Sequence, residues 1–208
     1  MIVPTILVKT KEEFIDRRSE LKPHFKIAHL DVMDGKFVPN KTLPLDNIKR
    51  SKLQYEVHLM VKDNLTHIKK ALKLHPSAIL FHYESCRDNK EVAALINFIK
   101  KRKIKAGLAI NPETSTLKIK PFLGEIDRLM IMAVSPGFSG QRFKGSVLTK
   151  IKAIRKLNKK LLIEIDGGIN EETLIKTKKA GANMFCAGSF LTGPDIKQKK
   201  LILHRLAK

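Results

Sequence analysis

Eight short runs rich in Val, Ile and Leu recur along this chain, and lysine-rich segments with helical periodicity separate them. The runs lie near 2–7 (IVPTIL), 26–32 (KIAHLDV), 55–61 (YEVHLMV), 78–82 (AILFH), 105–110 (KAGLAI), 128–134 (RLMIMAV), 161–165 (LLIEI) and 184–188 (MFCAG). Amphipathic patterns fill 11–21, 64–74, 89–102, 146–157, 171–179 and 195–206, while 44–50 and 114–120 are short and weakly helical. Strands alternating with helices predict a parallel sheet with helical crossovers. Eight such units close into a (β/α)8 TIM barrel, and 208 residues sit at the short end of its range. A doubly wound open sheet competes, but no GxGxxG follows the first run. No linker or composition shift marks a boundary, so residues 1–208 are expected to form one barrel domain.

At 43% hydrophobic residues the chain is too apolar for disorder, yet no window approaches a membrane span of about 18 apolar residues. The start, MIVPTILVKTKEEF, has no basic residue before its apolar run and no small-residue cleavage site, unlike a signal peptide. Cys86 and Cys186 stand alone, so they are expected to be buried thiols in a reducing, cytoplasmic setting. The charge is less ordinary: 41 Lys+Arg against 20 Asp+Glu gives +21. Such a field suits an anionic partner. Its lysines nevertheless fall in runs such as KKALK, KKRKIK and KIKAIRKLNKK, which usually form the solvated faces of helices. With no Trp and two Tyr, a stacking strip for nucleic acid is missing, and no specific nucleic acid or membrane partner is expected.

The interiors of parallel barrel strands should read apolar, and polar residues at their C-terminal ends point into the mouth. Four runs break the apolar rule in the same manner. The second ends in His29-Leu30-Asp31, the third in His58-Leu59-Met60, the seventh in Asp166-Gly167-Gly168, and the first carries Thr5. His29 and Asp31, two apart on a strand, face the same side. Two imidazoles and two carboxylates on neighbouring strands can surround one divalent cation of the zinc, iron or manganese kind. Three glycine-rich segments follow late strands: Ser135-Pro136-Gly137-Phe138-Ser139-Gly140-Gln141, Gly167-Gly168, and Gly188-Ser189. Loops in these positions commonly hold a phosphate with backbone N–H groups.

The stretch HLDVMDGKFVPN (29–40) resembles the signature of the ribulose-phosphate 3-epimerase family. VHLMV (57–61), FHYES (81–85), GLAINPET (107–114), MAVSPGFSGQRF (132–143), IEIDGGIN (163–170) and CAGSF (186–190) follow in that family's order. The resemblance implies a barrel of the ribulose-phosphate-binding type and a metal-dependent epimerase. It places His29, Asp31, His58 and Asp166 as ligands of one Zn, Fe, Mn or Co ion, and Asp31 and Asp166 also as the acid–base pair. It places Thr5, His58, Gly137, Phe138, Ser139, Gly140, Asp166, Gly167, Gly168, Gly188 and Ser189 against the substrate. Met33, Met60 and Met132 match methionines that line the site. His82 and Glu84 read equally as supports of the ligand shell and as plain structural hydrogen bonding.

Three departures stand out. Thr5 replaces a Ser, Ser139 replaces a Gly whose position must then tolerate a Cβ, and PHFKIA before His29 lacks the usual Gly-Ala-Asp approach. None removes a ligand. The reaction implied is inversion at carbon 3 of D-ribulose 5-phosphate to give D-xylulose 5-phosphate, by a homo-oligomer whose size the sequence does not set. A six-carbon ketose phosphate such as D-allulose 6-phosphate is the alternative within the class. A basic nucleic-acid-binding protein on a barrel scaffold is the alternative outside it.

Overall fold

A computed structural model describes residues 1–208. Eight parallel strands close a barrel in sequence order, β1 pairing with β8: β1 Ile2–Ile6, β2 Ile27–Met33, β3 Gln54–Met60, β4 Ala78–His82, β5 Lys105–Ile110, β6 Arg128–Met132, β7 Leu162–Asp166 and β8 Met184–Ala187. Helices α1 Lys11–Leu21, α2 Asn64–Leu72, α3 Asn89–Lys100, α4 Thr116–Ile119, α5 Val147–Leu157, α6 Glu171–Ala180 and α7 Ile196–Ala207 form the outer ring. This is the expected (β/α)8 architecture. The two weakly patterned segments are where it is thinnest. After β2 a single three-residue turn, Leu45–Asn47, stands in for a helix, and α4 has four residues.

Local chemistry starts and stops the helices near the predicted places. Thr10 and Asn170 close capping boxes on α1 and α6, and Asp63 and Asp88 cap α2 and α3 through their carboxylates. Two helices are shorter than their patterns suggest. After α2 the backbone turns left-handed at His75 (φ 49°), and after α3 at Lys103 (φ 60°), so residues 73–74 and 101–102 leave the helix.

Strand alternation sorts the side chains into two cores. Outward residues such as Leu30, Val57, Ile79, Leu108, Ile131 and Ile163 join the helices in one cluster of 50 buried residues. Inside the barrel, Val3, Leu80, Ala109, Met130, Met132 and Met184 pack as a smaller cluster. The N-terminal ends of the strands are fed by basic loops, including Lys100-Lys101-Arg102-Lys103 and Lys159-Lys160, which are exposed. No helix is long and apolar enough to cross a membrane.

Candidate active site

The C-terminal mouth opens on a cleft between the strand ends and the loops that follow them. Thr5, Asp31, Met33, Met60, Met132, Gly137, Phe138, Ser139, Gly140, Asp166, Gly167, Gly168, Gly188 and Ser189 line it. His29 and His58 lie fully buried beneath its floor.

Register brings the polar groups together. Thr5 pairs with His29, Asp31 with His58, and Met132 with Asp166 as Cα partners on adjacent strands. His29 Nε2 lies 3.2 Å from His58 Nδ1 and 3.3 Å from Asp31 Oδ1. His58 Nδ1 lies 3.0 Å from Asp31 Oδ1 and 3.8 Å from Asp166 Oδ2. One donor atom from each of these four residues falls within 4.8 Å of all the others.

Hydrogen bonding behind the two imidazoles decides which nitrogens face inward. Glu56 Oε1 accepts from His29 Nδ1 at 2.8 Å, leaving Nε2 turned toward the other three groups. Glu84 Oε2 accepts from His82 Nδ1 at 3.2 Å, so His82 Nε2 accepts from His58 Nε2 at 2.9 Å. His58 Nδ1 then faces the cluster. Glu84 is itself pinned through Oε1 by the Asn111 amide at 2.8 Å and by the Thr114 hydroxyl. Two imidazole lone pairs and two carboxylates thus converge on one point, a donor set suited to a cation of the borderline type. His82 and Glu84 stand behind a candidate ligand rather than merely in the core.

The two carboxyls are chemically unequal. When the imidazoles carry protons in place of a cation, burial opposes ionisation of Asp31, but hydrogen bonds and charge from His29 and His58 outweigh it and hold its pKa near 2. Asp166 is pushed up, first by burial and then by the neighbouring Asp31 charge. The two carboxyls are thus displaced in opposite directions. At the rim, Thr5 is only 8% exposed and its hydroxyl has no hydrogen-bond partner, so a polar group is left facing the cleft.

The glycine segments owe their shape to specific backbone demands. Gly167 and Gly168 have φ of 107° and 66°, and a Cβ on them would meet Val134 Cγ2 at 2.4 Å and Phe143 Cβ at 2.9 Å. Asn40 Nδ2 donates to Gly137 O at 2.7 Å, tying the loop after β2 to the loop after β6. Ser139 needs no left-handed backbone, so the Cβ there is tolerated. The Phe138 side chain is 51% exposed and sits on the rim rather than the floor.

The residue reading missed a layer directly below. Glu56, Arg128, Glu164 and Cys186 are buried inside the barrel around the back of His29. Arg128 bonds Glu56 and lies 3.9 Å from Glu164 Oε2, and Cys186 Sγ donates to Glu164 Oε1 at 3.0 Å. Burial and the Glu56 carboxylate push Glu164 well above the usual carboxylate range. The available signal was spacing: Glu56 and Glu164 each stand two residues before a recognised residue, on the same strand face.

Fold and mouth together define the class: a (β/α)8-barrel enzyme with its polar residues gathered at the C-terminal strand ends, where this architecture carries its chemistry. The profile of the Ribulose-phosphate 3 epimerase family matches residues 1–192, and the chain belongs to that family. Ribulose-phosphate 3-epimerase of Bacillus subtilis (strain 168) is 37% identical over 182 residues, 83% of this chain and 82% of that protein. The Chlamydia muridarum enzyme of that name is 36% identical over 191 residues, covering 86% and 82%. The cytoplasmic isoform of Oryza sativa subsp. japonica is 35% identical over 172 residues, covering 79% and 75%. Among solved structures, 3-keto-L-gulonate-6-phosphate decarboxylase from Vibrio cholerae superposes with a TM-score of 0.76 at 14% identity, covering 100% of this chain and 96% of that one. That likeness is one of fold alone.

Proposed function

We propose that the protein interconverts D-ribulose 5-phosphate and D-xylulose 5-phosphate at carbon 3, with Asp31 and Asp166 as the proton-transfer pair. Inverting a carbon beside a ketone requires a proton to leave one face and another to arrive at the opposite one. A single base serves both faces poorly, so two carboxyls that begin in different protonation states are needed. The placement of Asp31 on β2 and Asp166 on β7, both lining one cleft, carries this reading. In one direction Asp31 removes the C3 proton and Asp166 returns one, and the roles exchange in reverse.

His29 Nε2, Asp31, His58 Nδ1 and Asp166 fit a single Zn, Fe, Mn or Co ion, because four lone-pair-bearing atoms converge where no protein cation is placed. When bound, such an ion supplies Lewis-acid stabilisation of the enediolate oxygens. The chain's own part is orientation. Glu84 and His82 hold His58 for the cluster, and Met33, Met60 and Met132 form an apolar wall that excludes water from the reacting face. Backbone amides of Gly137–Gly140, Gly167-Gly168 and Gly188-Ser189 are proposed to hold the phosphate, fixing the sugar between the carboxyls. The Thr5 hydroxyl then finds its partner on the substrate.

All three relatives described above carry the pentulose-phosphate name, and neither a hexulose phosphate nor a polyanion role is favoured by them. The test is turnover with D-ribulose 5-phosphate and D-allulose 6-phosphate side by side, for wild type, Asp31→Asn and Asp166→Asn. The pentulose should be preferred, and each variant should lose about 100-fold or more, the usual scale of general acid–base catalysis. Near-normal turnover by either folded variant would refute the two-carboxyl assignment.

A further inference from the structure

The buried layer beneath the mouth admits two readings. His29 Nδ1, Glu56, Glu164 and Cys186 bring one donor atom each within 4.8 Å, the pattern of a second metal site. The contacts argue otherwise. One ligand atom of each residue already has a protein partner: Glu56 Oε1 accepts from His29 Nδ1, Glu164 Oε1 accepts from Cys186, and the Arg128 guanidinium binds Glu56 Oε2, with Glu164 Oε2 the one carboxylate oxygen left without a hydrogen bond. The layer has its resident cation, and it is Arg128.

From this geometry we infer that Glu56, locked in place by Arg128, is a positioning residue that holds His29 with its proton on Nδ1 and Nε2 aimed into the mouth. The inference rests on His29 being a metal ligand, as proposed above. His29 has two ring nitrogens and one strand position, and only its back-side partner selects the forward one. A carboxylate accepting the far N–H of a ligand histidine fixes its tautomer and ring orientation and raises its basicity. Glu56 can do this only if its own rotamer is fixed. Arg128 enters from β6 across the barrel and closes on the second Glu56 oxygen. His58 receives equivalent support from the other side through His82 and Glu84. The two imidazoles are thus aimed by separate carboxylates, one direct and one relayed.

Cobalt(II) binding tests this without using activity. Wild type should take up one Co²⁺ per chain, with a d–d spectrum and no thiolate charge-transfer band. Glu56→Gln keeps the side-chain shape and leaves Arg128 with Glu164 as counter-ion. Its Co²⁺ affinity, measured by chelator competition, should fall about 10- to 100-fold, and its d–d bands should shift. The double variant Glu56→Gln/Arg128→Met removes both members of the buried pair, a change that is often neutral for folding, and should show the same loss. Glu56→Asp keeps the charge but shortens the reach to His29 and should weaken binding too. Circular dichroism establishes that each variant is folded. A folded Glu56→Gln or double variant with wild-type affinity and spectrum would overturn the inference. Two Co²⁺ per chain with a thiolate charge-transfer band would overturn it in favour of a second metal site. A wild type that binds no Co²⁺ would instead overturn the metal reading of the mouth itself.

Discussion

Replacing Gly188 by valine separates ligand binding from folding. Gly188 follows β8 with φ −89°, outside the left-handed region that favours glycine. A Cβ added there would lie 3.5 Å from Thr5 Cβ and 3.8 Å from Thr5 Oγ1, which is ordinary van der Waals contact. Gly188→Ala should therefore fold, since the added Cβ meets no clash. The γ-methyls of Gly188→Val extend further, into a cleft that Gly188, Ser189 and Thr5 line together. If the amides here hold the phosphate, displacing it forfeits at least one charge-assisted hydrogen bond, about 1.5–3 kcal/mol. At 1.4 kcal/mol per factor of ten, the Michaelis constant should rise by roughly 10- to 100-fold. The assay is steady-state epimerisation with D-ribulose 5-phosphate, run beside thermal unfolding of the same preparations. Gly188→Val with a normal melting temperature and a Michaelis constant within twofold of wild type would show that the phosphate is held elsewhere.

Four further outcomes follow from the geometry. Gly167→Ala combines a φ of 107° with a Cβ 2.4 Å from Val134 Cγ2, so strain and overpacking should together cost about 2–6 kcal/mol, visible as a melting temperature lower by roughly 5–20 °C. Neutralising the exposed pair Lys159 and Lys160, before β7 at the far end of the barrel, should leave both kinetic constants within twofold, and a large loss there would relocate the anion site. The Cys86 thiol is pushed from 9.0 up to about 12 by burial and then by the Glu91 charge, so native alkylation at pH 8 should be about a thousandfold slower than in urea. Because this shift is upward, the rate should climb about tenfold per pH unit until about pH 12, and labelling that levels off near pH 9 would contradict it. Chelation should abolish turnover and added Zn²⁺, Mn²⁺, Fe²⁺ or Co²⁺ restore it, whereas full activity in protein shown to be metal-free would overturn the ligand assignment.

The barrel was legible because its signal is repetitive: β-branched runs at regular spacing, with capping residues such as Asn170 and Asp88 opening the segments between them. The mouth was legible because His29, Asp31, His58 and Asp166 violate an apolar rule at strand ends, where a violation is informative. The layer beneath them was not. A charged residue in a strand interior can face solvent or core, and Glu56 and Glu164 acquire meaning only when closure brings Arg128 across from β6. That meeting depends on register, Gly107 opposite Arg128 and Met130 opposite Glu164, which local sequence does not encode. Helix ends at Leu72 and Lys100 were misjudged for a related reason. The left-handed turns at His75 and Lys103 are made without the glycine that usually marks such a helix end.

The central claim is that Asp31 and Asp166 invert carbon 3 by removing one proton and delivering another from the opposite side. Epimerisation of D-ribulose 5-phosphate in D2O, followed by NMR at early conversion, tests it most directly. D-Xylulose 5-phosphate should carry deuterium at carbon 3 from the first turnovers, because the delivering carboxyl draws its hydron from solvent. Product that keeps the substrate's own hydrogen at carbon 3 would contradict the account.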